Sequence, residues 1–250
     1  MSRPGDGQDS GDAYRRFVRT LEKQHEPDRA MQIAIGSQFE AFGVVEREIL
    51  IQYGLQPDDY VVDVGCGSGR LAKPLAQYLR GRYLGIDVVP ELVEYARTLV
   101  GRRDWRFEVA TGLEIPERDG VVDIVCFYSV LTHLLHEQSY AYLTDARRVL
   151  KPGGRIVFSF LEFAIPSHWA VFKDSVAGIG GSQPLNMFIG RDAIAAWASS
   201  LDLAIVAIHD GDKPHTPLQE AVTLDDGTVM SGLGNLGQSV CVLEKPGLAL

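Results

Sequence analysis

The apolar positions alternate between two rhythms from residue 60 onward. Tyr60–Val64 (YVVDV) is short, β-branched and apolar at nearly every position, which predicts a parallel strand buried on both faces. Arg70–Leu79 then takes helical spacing. Tyr83–Ile86 is a second strand ending at Asp87, and Pro90–Val100 is a helix with proline at its start. Trp105–Val109 and Val121–Phe127 read as the third and fourth strands. Ser139–Leu150 is helical and stops at the turn signal KPGG, and Arg155–Leu161 is the fifth strand. Such strand–helix alternation implies right-handed crossovers and a mostly parallel sheet with helices on both faces.

The flanks are less regular. Ala13–His25 places Tyr14, Phe17, Val18 and Leu21 on one helical face, and Pro27 closes that segment. A second helical region, Met31–Tyr53, is interrupted by Gly36 and Gly43, with Gly54 as its C-terminal cap. Beyond the fifth strand lie a long connection Ile165–Ile189, containing GIGGSQP, a helix Arg191–Ser200 and a strand Leu203–Ile208. A second long connection, His209–Gln238, holds TLDDGTV, a hairpin with Asp-Gly in its turn, before a final strand Ser239–Lys245. Long connections inside one domain point to ordered caps over the functional edge. The resulting division is a disordered tail at 1–12, a helical lid at 13–54, a core at 55–161, and a C-terminal part at 162–250. That last part belongs to the same domain and carries two substrate-cap insertions, 162–190 and 209–238.

Composition narrows the partners. Hydrophobic residues make up 46% of the 250, enough for a sizeable core, and 24 basic against 33 acidic residues give a net charge of -9. That balance argues against nucleic acid or an anionic membrane as the main partner. RRFVR at Arg15–Arg19 is read as one face of a short helix. Cys66, Cys126 and Cys241 lack paired spacing and sit in apolar runs, which suits buried thiols in a reducing cytoplasm. No apolar run reaches the length of a membrane span, and the Gly/Asp/Ser-rich start lacks the apolar core of a signal peptide. No histidine–carboxylate spacing suggests a metal.

The candidate chemistry begins at DVGCGSGR. Gly65, Gly67 and Gly69 stand where the first strand gives way to a helix, so the backbone can approach a ligand and take positive φ. A helix start there offers free N–H groups to a nucleotide or carboxylate. A ligand-free tight turn has the same pattern. Arg70 replaces the third glycine of a dinucleotide fingerprint, and the Gly-Lys-Ser/Thr of a phosphate loop is absent. Asp87 follows about twenty residues after the glycines, at the end of the adjacent strand. There its carboxylate can accept bonds from two ribose hydroxyls, or cap the helix beginning at Pro90.

VVDVGCGSG, LGID, VVDIVCFYSVLTHL and RVLKPGGRIVFSF, in this order and spacing, resemble a class I S-adenosylmethionine-dependent methyltransferase of the small-molecule type. The likeness runs from about Leu55 to Leu161 and continues more loosely in the helix Arg191–Ser200 and the final strand pair. It implies a Rossmann-like doubly wound sheet of about seven strands with an antiparallel last strand, and S-adenosyl-L-methionine as cofactor. It places Gly65, Cys66 and Gly67 against the methionine part and makes Asp63 the acid that orders that loop. Asp87 becomes the ribose acid and Val88 the apolar face for adenine. At Phe127 and Tyr128 the family uses a backbone carbonyl for the ammonium. Related sequences carry an acid after the third strand where this chain has Thr111 and Gly112, so a threonine oxygen or main-chain group takes over that adenine contact.

A sulfonium methyl is already activated, so alignment of the nucleophile supplies much of the acceleration, and a base is needed for a hydroxyl acceptor. His133, in SVLTHL, is the first candidate base, with His136 beside it; a structural histidine is the competing reading. His168, His209, Asp210 and His215 lie on the long connections, as substrate contacts or as surface groups. Trp169, Phe172 and Phe188 pack the cap or line an apolar acceptor pocket, and Phe39 and Phe42 shield the methyl donor or pack on the sheet. The expected function is methyl transfer to an O- or N-nucleophile of a small molecule. An NAD-dependent oxidoreductase and a non-catalytic cofactor-binding protein are the alternatives. The final strand pair and the hairpin leave room for a homodimer.

Overall fold

The computed structural model describes residues 7–36, 38–179 and 186–247. Its main sheet has seven strands. They are β1 (Val61–Val64), β2 (Tyr83–Asp87), β3 (Arg106–Val109), β4 (Val122–Phe127), β5 (Leu150–Phe160), β6 (Ala204–His209) and a final strand, Ser239–Glu244. The spatial order is β3-β2-β1-β4-β5-final-β6. The first five are mutually parallel, and the final strand runs antiparallel between β5 and β6. The order reverses beside β1, where β1 and β4 diverge to opposite sides. Ligands in open sheets of this kind bind there, beyond the carboxyl ends of the strands.

Alternation along the strands explains why both faces are covered. Val62, Val64, Leu84, Ile86, Val125 and Phe127 face one core, shared with Tyr142, Leu143 and Ala146 of α6 (His136–Val149) and Ile194 and Ala198 of α8 (Arg191–Ser200). Val61, Tyr83, Ile124 and Cys126 face the other. That core is shared with Val45 and Ile49 of α3 (Phe39–Gln52), Leu75 of α4 (Ala72–Leu75), and Val93 and Ala96 of α5 (Pro90–Val100). A smaller cluster joins Val18 and Leu21 of α1 (Gly7–Gln24) to Ala30, Met31 and Ala34 of α2 (Pro27–Ala34), and to Val89 and Leu92 beside the end of β2. This hairpin therefore stands over the ligand-binding edge.

Local signals decided several boundaries. At Gly54 (φ 91°) the N–H bonds the Ile51 carbonyl and that of Leu55 bonds Leu50, the paired pattern that ends a helix at a left-handed glycine. The Asp-Gly hairpin pairs Val222–Thr223 with Val229–Met230, with Gly227 at φ 84°. Other expectations need correction. The first helix begins at Gly7, so residues 7–12 of the expected tail are helical, while 1–6 lie outside the described residues. Pro27 opens α2 rather than closing α1, its fixed φ suiting the first helical turn. The helix expected over Arg70–Leu79 contracts to Ala72–Leu75 between turns.

KPGG lies inside β5. The step from Val122 to Ile124 on β4 faces the step from Leu150 to Arg155, so the glycines make a bulge rather than a turn. Bonds from Gly153 N–H to the Lys245 carbonyl and from Lys245 N–H to the Gly154 carbonyl hold it there. The first long connection contains a helix, α7 (His168–Ala177); most of its GIGGSQP stretch, residues 180–184, lies outside the described residues. Among the described residues, no helix is long and apolar enough to cross a membrane. All three cysteines are buried and free.

Candidate active site

The glycine loop is folded back on β2. Gly65 and Cys66 both donate N–H bonds to the Ile86 carbonyl, at 2.7 and 3.0 Å. Gly65, Gly67 and Gly69 all take positive φ (74°, 52° and 91°). A Cβ on Gly67 would lie 2.6 Å from Ile35 Cγ2, and one on Gly65 would collide with Val130 Cγ2. Gly85 is a further requirement that sequence reading passed over, since a Cβ there would meet the Cys66 sulfur at 3.0 Å. Gly65→Ala is expected to cost about 1–2 kcal/mol for the left-handed backbone alone, and to distort the loop against Val130. A melting temperature equal to wild type would contradict this; Val130→Ala in the same background should recover part of the loss.

Asp87 ends β2 and ties strand to loop. One carboxylate oxygen accepts the Gly67 N–H at 3.0 Å and the other the Val89 N–H at 2.9 Å. Burial raises its carboxyl, and the backbone N–H groups of Val89, Gly67 and Val88 oppose the shift. A carboxylate's two oxygens offer about four acceptor sites, so Asp87 keeps acceptor capacity beyond these backbone bonds. Val88, next in the chain, leaves 46% of its surface exposed, an apolar face beside that carboxylate.

Asp63 points below the loop rather than into solvent. Tyr83 donates its hydroxyl to Asp63 at 2.7 Å, and the Cys126 thiol lies 3.7 Å from the other oxygen. Burial pushes this carboxyl up to about 7, outweighing the Tyr83 bond. Nearby, Glu46 of α3 is buried and paired with Arg70 at 2.5 Å, and Arg70 also donates to the Ile35 carbonyl at 3.2 Å. Burial raises Glu46 as well, with Arg70 pulling the other way. Because Asp63 is raised in the folded state, its contribution is full below the ordinary carboxylate pKa of about 4 and is lost as pH rises through about 7. Urea melts of the cofactor-free protein at about pH 5 and about pH 8 should show lower stability at the higher pH. Asp63→Asn should flatten the difference; an equal difference in the variant assigns it elsewhere.

The remaining predicted residues fall along the same edge. Thr111 and Gly112 are exposed after β3, and the Gly112 carbonyl accepts the Tyr142 hydroxyl at 3.0 Å. The Phe127 ring is buried against Tyr142, and Tyr128 turns inward to donate to the Glu46 carbonyl. At this turn, main chain rather than those side chains is left for a ligand. Ser129, which follows, has φ 58°, unusual for a residue with a side chain. Its N–H donates to Ser159 Oγ at 2.7 Å, Ser159 donates to Gln238 Oε1 at 2.7 Å, and Gln238 Nε2 returns to Ser129 Oγ at 3.1 Å. This ring joins the turn after β4, β5 and the second long connection, and no local sequence signal announced it. His133 closes the short 3-10 turn Leu131–His133, its ring centroid 6.3 Å from that of Tyr14 on α1. The Tyr14 hydroxyl donates to the Ala34 carbonyl, and burial raises its pKa, with the Asp87 charge adding.

The other histidines separate from this edge or support it. His168 is buried, accepting the Glu162 N–H at 3.0 Å through Nδ1 and bonding the Gly237 carbonyl at 3.1 Å through Nε2, so it is structural. Asp210 is held in ion pairs by Arg191 and Lys213. His209 stacks on His215 with centroids 4.1 Å apart and bonds Tyr53; burial lowers both imidazoles. His136 bonds the Phe188 carbonyl at 3.0 Å. Phe39 is buried beneath Lys73, and Phe42 packs against the core cluster that includes Cys66 of the loop. No three His, Cys, Asp or Glu gather at a metal-binding distance among the described residues.

In open doubly wound sheets, ligands bind at this switch point, where this chain has a glycine loop, an acid ending β2 and an exposed apolar residue beside it. A family model described as a methyltransferase domain matches residues 62–158. The chain is 29% identical over 119 residues to the O-methyltransferase cnsE of Penicillium expansum, covering 46% of this chain and 42% of that one. It is 31% identical over 155 residues to the ubiquinone biosynthesis O-methyltransferase of Xanthomonas oryzae pv. oryzae, covering 58% and 62%. It thus spans about two-fifths to three-fifths of these relatives' own length. Magnesium protoporphyrin IX methyltransferase of Synechocystis, solved with S-adenosylhomocysteine, shares the fold: TM-score 0.57 at 14% identity, over 98% of this chain and 89% of that one. Residues 62–158 are thus similar to a methyltransferase domain, on a fold shared with S-adenosylmethionine-dependent methyltransferases. The site's residues fit that cofactor, because the Asp87 oxygens keep lone pairs for two hydroxyls, Val88 offers an apolar face, and side-chain-free glycines expose the loop backbone.

Proposed function

We propose that this chain transfers the methyl group of S-adenosylmethionine to an oxygen or nitrogen of a small molecule. The carrying observation is the Asp87 carboxylate, bound to the glycine loop on one oxygen and to the Val89 N–H on the other. Bound there, the cofactor supplies a sulfonium methyl, which a nucleophile takes as the S–CH3 electron pair returns to sulfur. The chain's own groups do the rest. Asp87 would hold the ribose, Val88 would offer its apolar face to adenine, and the main chain at Phe127–Tyr128 would receive the ammonium. The α1–α2 hairpin acts as a lid: Met31 and Ile35 carbonyls accept Ser68 and Arg70, which latches it to the loop. Closure excludes water from the reacting edge.

In this reading His133 takes the acceptor's proton, supported by its position in the turn after β4 and beside Tyr14 of α1. The names of O-methyltransferase relatives support oxygen as the first acceptor atom to try. The test is transfer of labelled methyl from S-adenosylmethionine into a library of hydroxylated and amino compounds. His133→Asn should lower kcat while S-adenosylhomocysteine affinity stays unchanged. Equal turnover in that variant removes His133 as the base, and no labelled product from any compound leaves cofactor binding without transfer.

A further inference from the structure

We propose that four aromatic side chains beyond β5 form the acceptor wall and select a planar, hydroxylated aromatic molecule. This rests on the methyltransferase reading and names its substrate class. Phe163 and Phe188 stack with centroids 4.7 Å apart at 18°, and the edge of Phe172 closes on them at 5.2 and 5.5 Å. Trp169 stands perpendicular to Phe172 at 5.4 Å. The indole N–H is already bonded to the Phe163 carbonyl at 3.0 Å, so the ring face is what Trp169 can offer a ligand. Yet Phe163 keeps 47% and Trp169 44% of their surface exposed. Rings fixed by stacked and edge-on contacts, two of them still partly exposed, are preorganised for another ring.

Three contacts join this wall to the reacting edge. The Met187 N–H donates to the Thr132 carbonyl at 2.7 Å, beside His133. The Phe188 carbonyl bonds His136, and Phe188 bridges Leu161 at the end of β5. The wall is therefore built on the same turn that carries the candidate base, and an aromatic acceptor lying on it would project its hydroxyl toward polar groups. Ser129 and Gln238 close their hydrogen-bond ring at the same carboxyl edge. A sugar or an unbranched alkyl alcohol would leave the ring faces without a stacking partner. A second copy of this chain is the rival occupant.

The test is calorimetry with 2-naphthol as probe and 1-octanol and glucose as controls, the protein saturated with S-adenosylhomocysteine. Expected is one 2-naphthol site, weakened about tenfold or more by Trp169→Ala and by Phe163→Ala, with Trp169→Phe retaining most of it. S-adenosylhomocysteine affinity should be unchanged in all three variants, which also shows that they fold. Equal binding of 1-octanol, or 2-naphthol binding insensitive to both alanine variants, overturns the proposal. So does a dimer by light scattering that Trp169→Ala dissolves. Absence of S-adenosylhomocysteine binding in the wild type is a separate outcome, and it overturns the underlying methyltransferase reading.

Discussion

Asp87→Ala is expected to weaken S-adenosylhomocysteine binding by two to four orders of magnitude. The carboxylate is the proposed acceptor for two ribose hydroxyls, and a hydrogen bond to a charged group contributes about 1.5–3 kcal/mol. Two such bonds make about 3–6 kcal/mol, and each 1.4 kcal/mol is about a factor of ten. The same substitution leaves the Gly67 and Val89 N–H groups without their acceptor, so the loop loses its tie to β2. Asp87→Asn keeps one acceptor oxygen and should fall between wild type and alanine. Calorimetric titration reads all three. An alanine variant within a few-fold of wild type would mean that the ribose does not bind there.

The second large effect concerns stability. Arg70→Met should destabilise the fold by about 3–5 kcal/mol, because it leaves Glu46 buried without its cation. Glu46 and Arg70 side chains are 2% and 10% exposed, so solvent screening gives little relief. The Ile35 carbonyl also loses its donor, which unlatches the lid. At about 2–4 °C per kcal/mol for a chain of this size, the melting temperature should fall by about 6–20 °C. Replacing both partners, Arg70→Met with Glu46→Leu, should recover much of the loss, since no unpaired charge then remains. If the double variant is worse than the sum of the singles, the pair is not the cause.

The same Arg70 shows where sequence reading stops. It was legible only as a departure from a dinucleotide loop; its partner Glu46 lies on α3, and nothing local predicts that α3 crosses the loop there. Gly43 records the crossing, since a Cβ on it would collide with the Arg70 carbonyl, yet in sequence it looked like a helix interruption. By contrast Pro90–Val100 and Arg191–Ser200 were read to the residue, because their caps and spacing are local. Helix α7 escaped because Trp169, Val171, Phe172 and Val176 follow no single buried stripe: its only buried residue is His168. The strand ends carrying Asp63, Gly65, Cys66, Gly67, Asp87, Val88, Phe127 and Tyr128 were readable from short apolar runs. Which way those side chains turn was not, so the inward turns of Asp63, Phe127 and Tyr128 needed coordinates. The ring of Ser129, Ser159 and Gln238 joins residues from the turn after β4, from β5 and from a late connection, and only the sheet order brings them together.

The central claim is that the glycine loop and Asp87 hold a methyl donor rather than a dinucleotide. Titration of the purified protein with S-adenosylhomocysteine and, separately, with NAD tests it most directly. One saturable site for S-adenosylhomocysteine with no heat from NAD is the expected result. Tight NAD binding without a response to S-adenosylhomocysteine would contradict it.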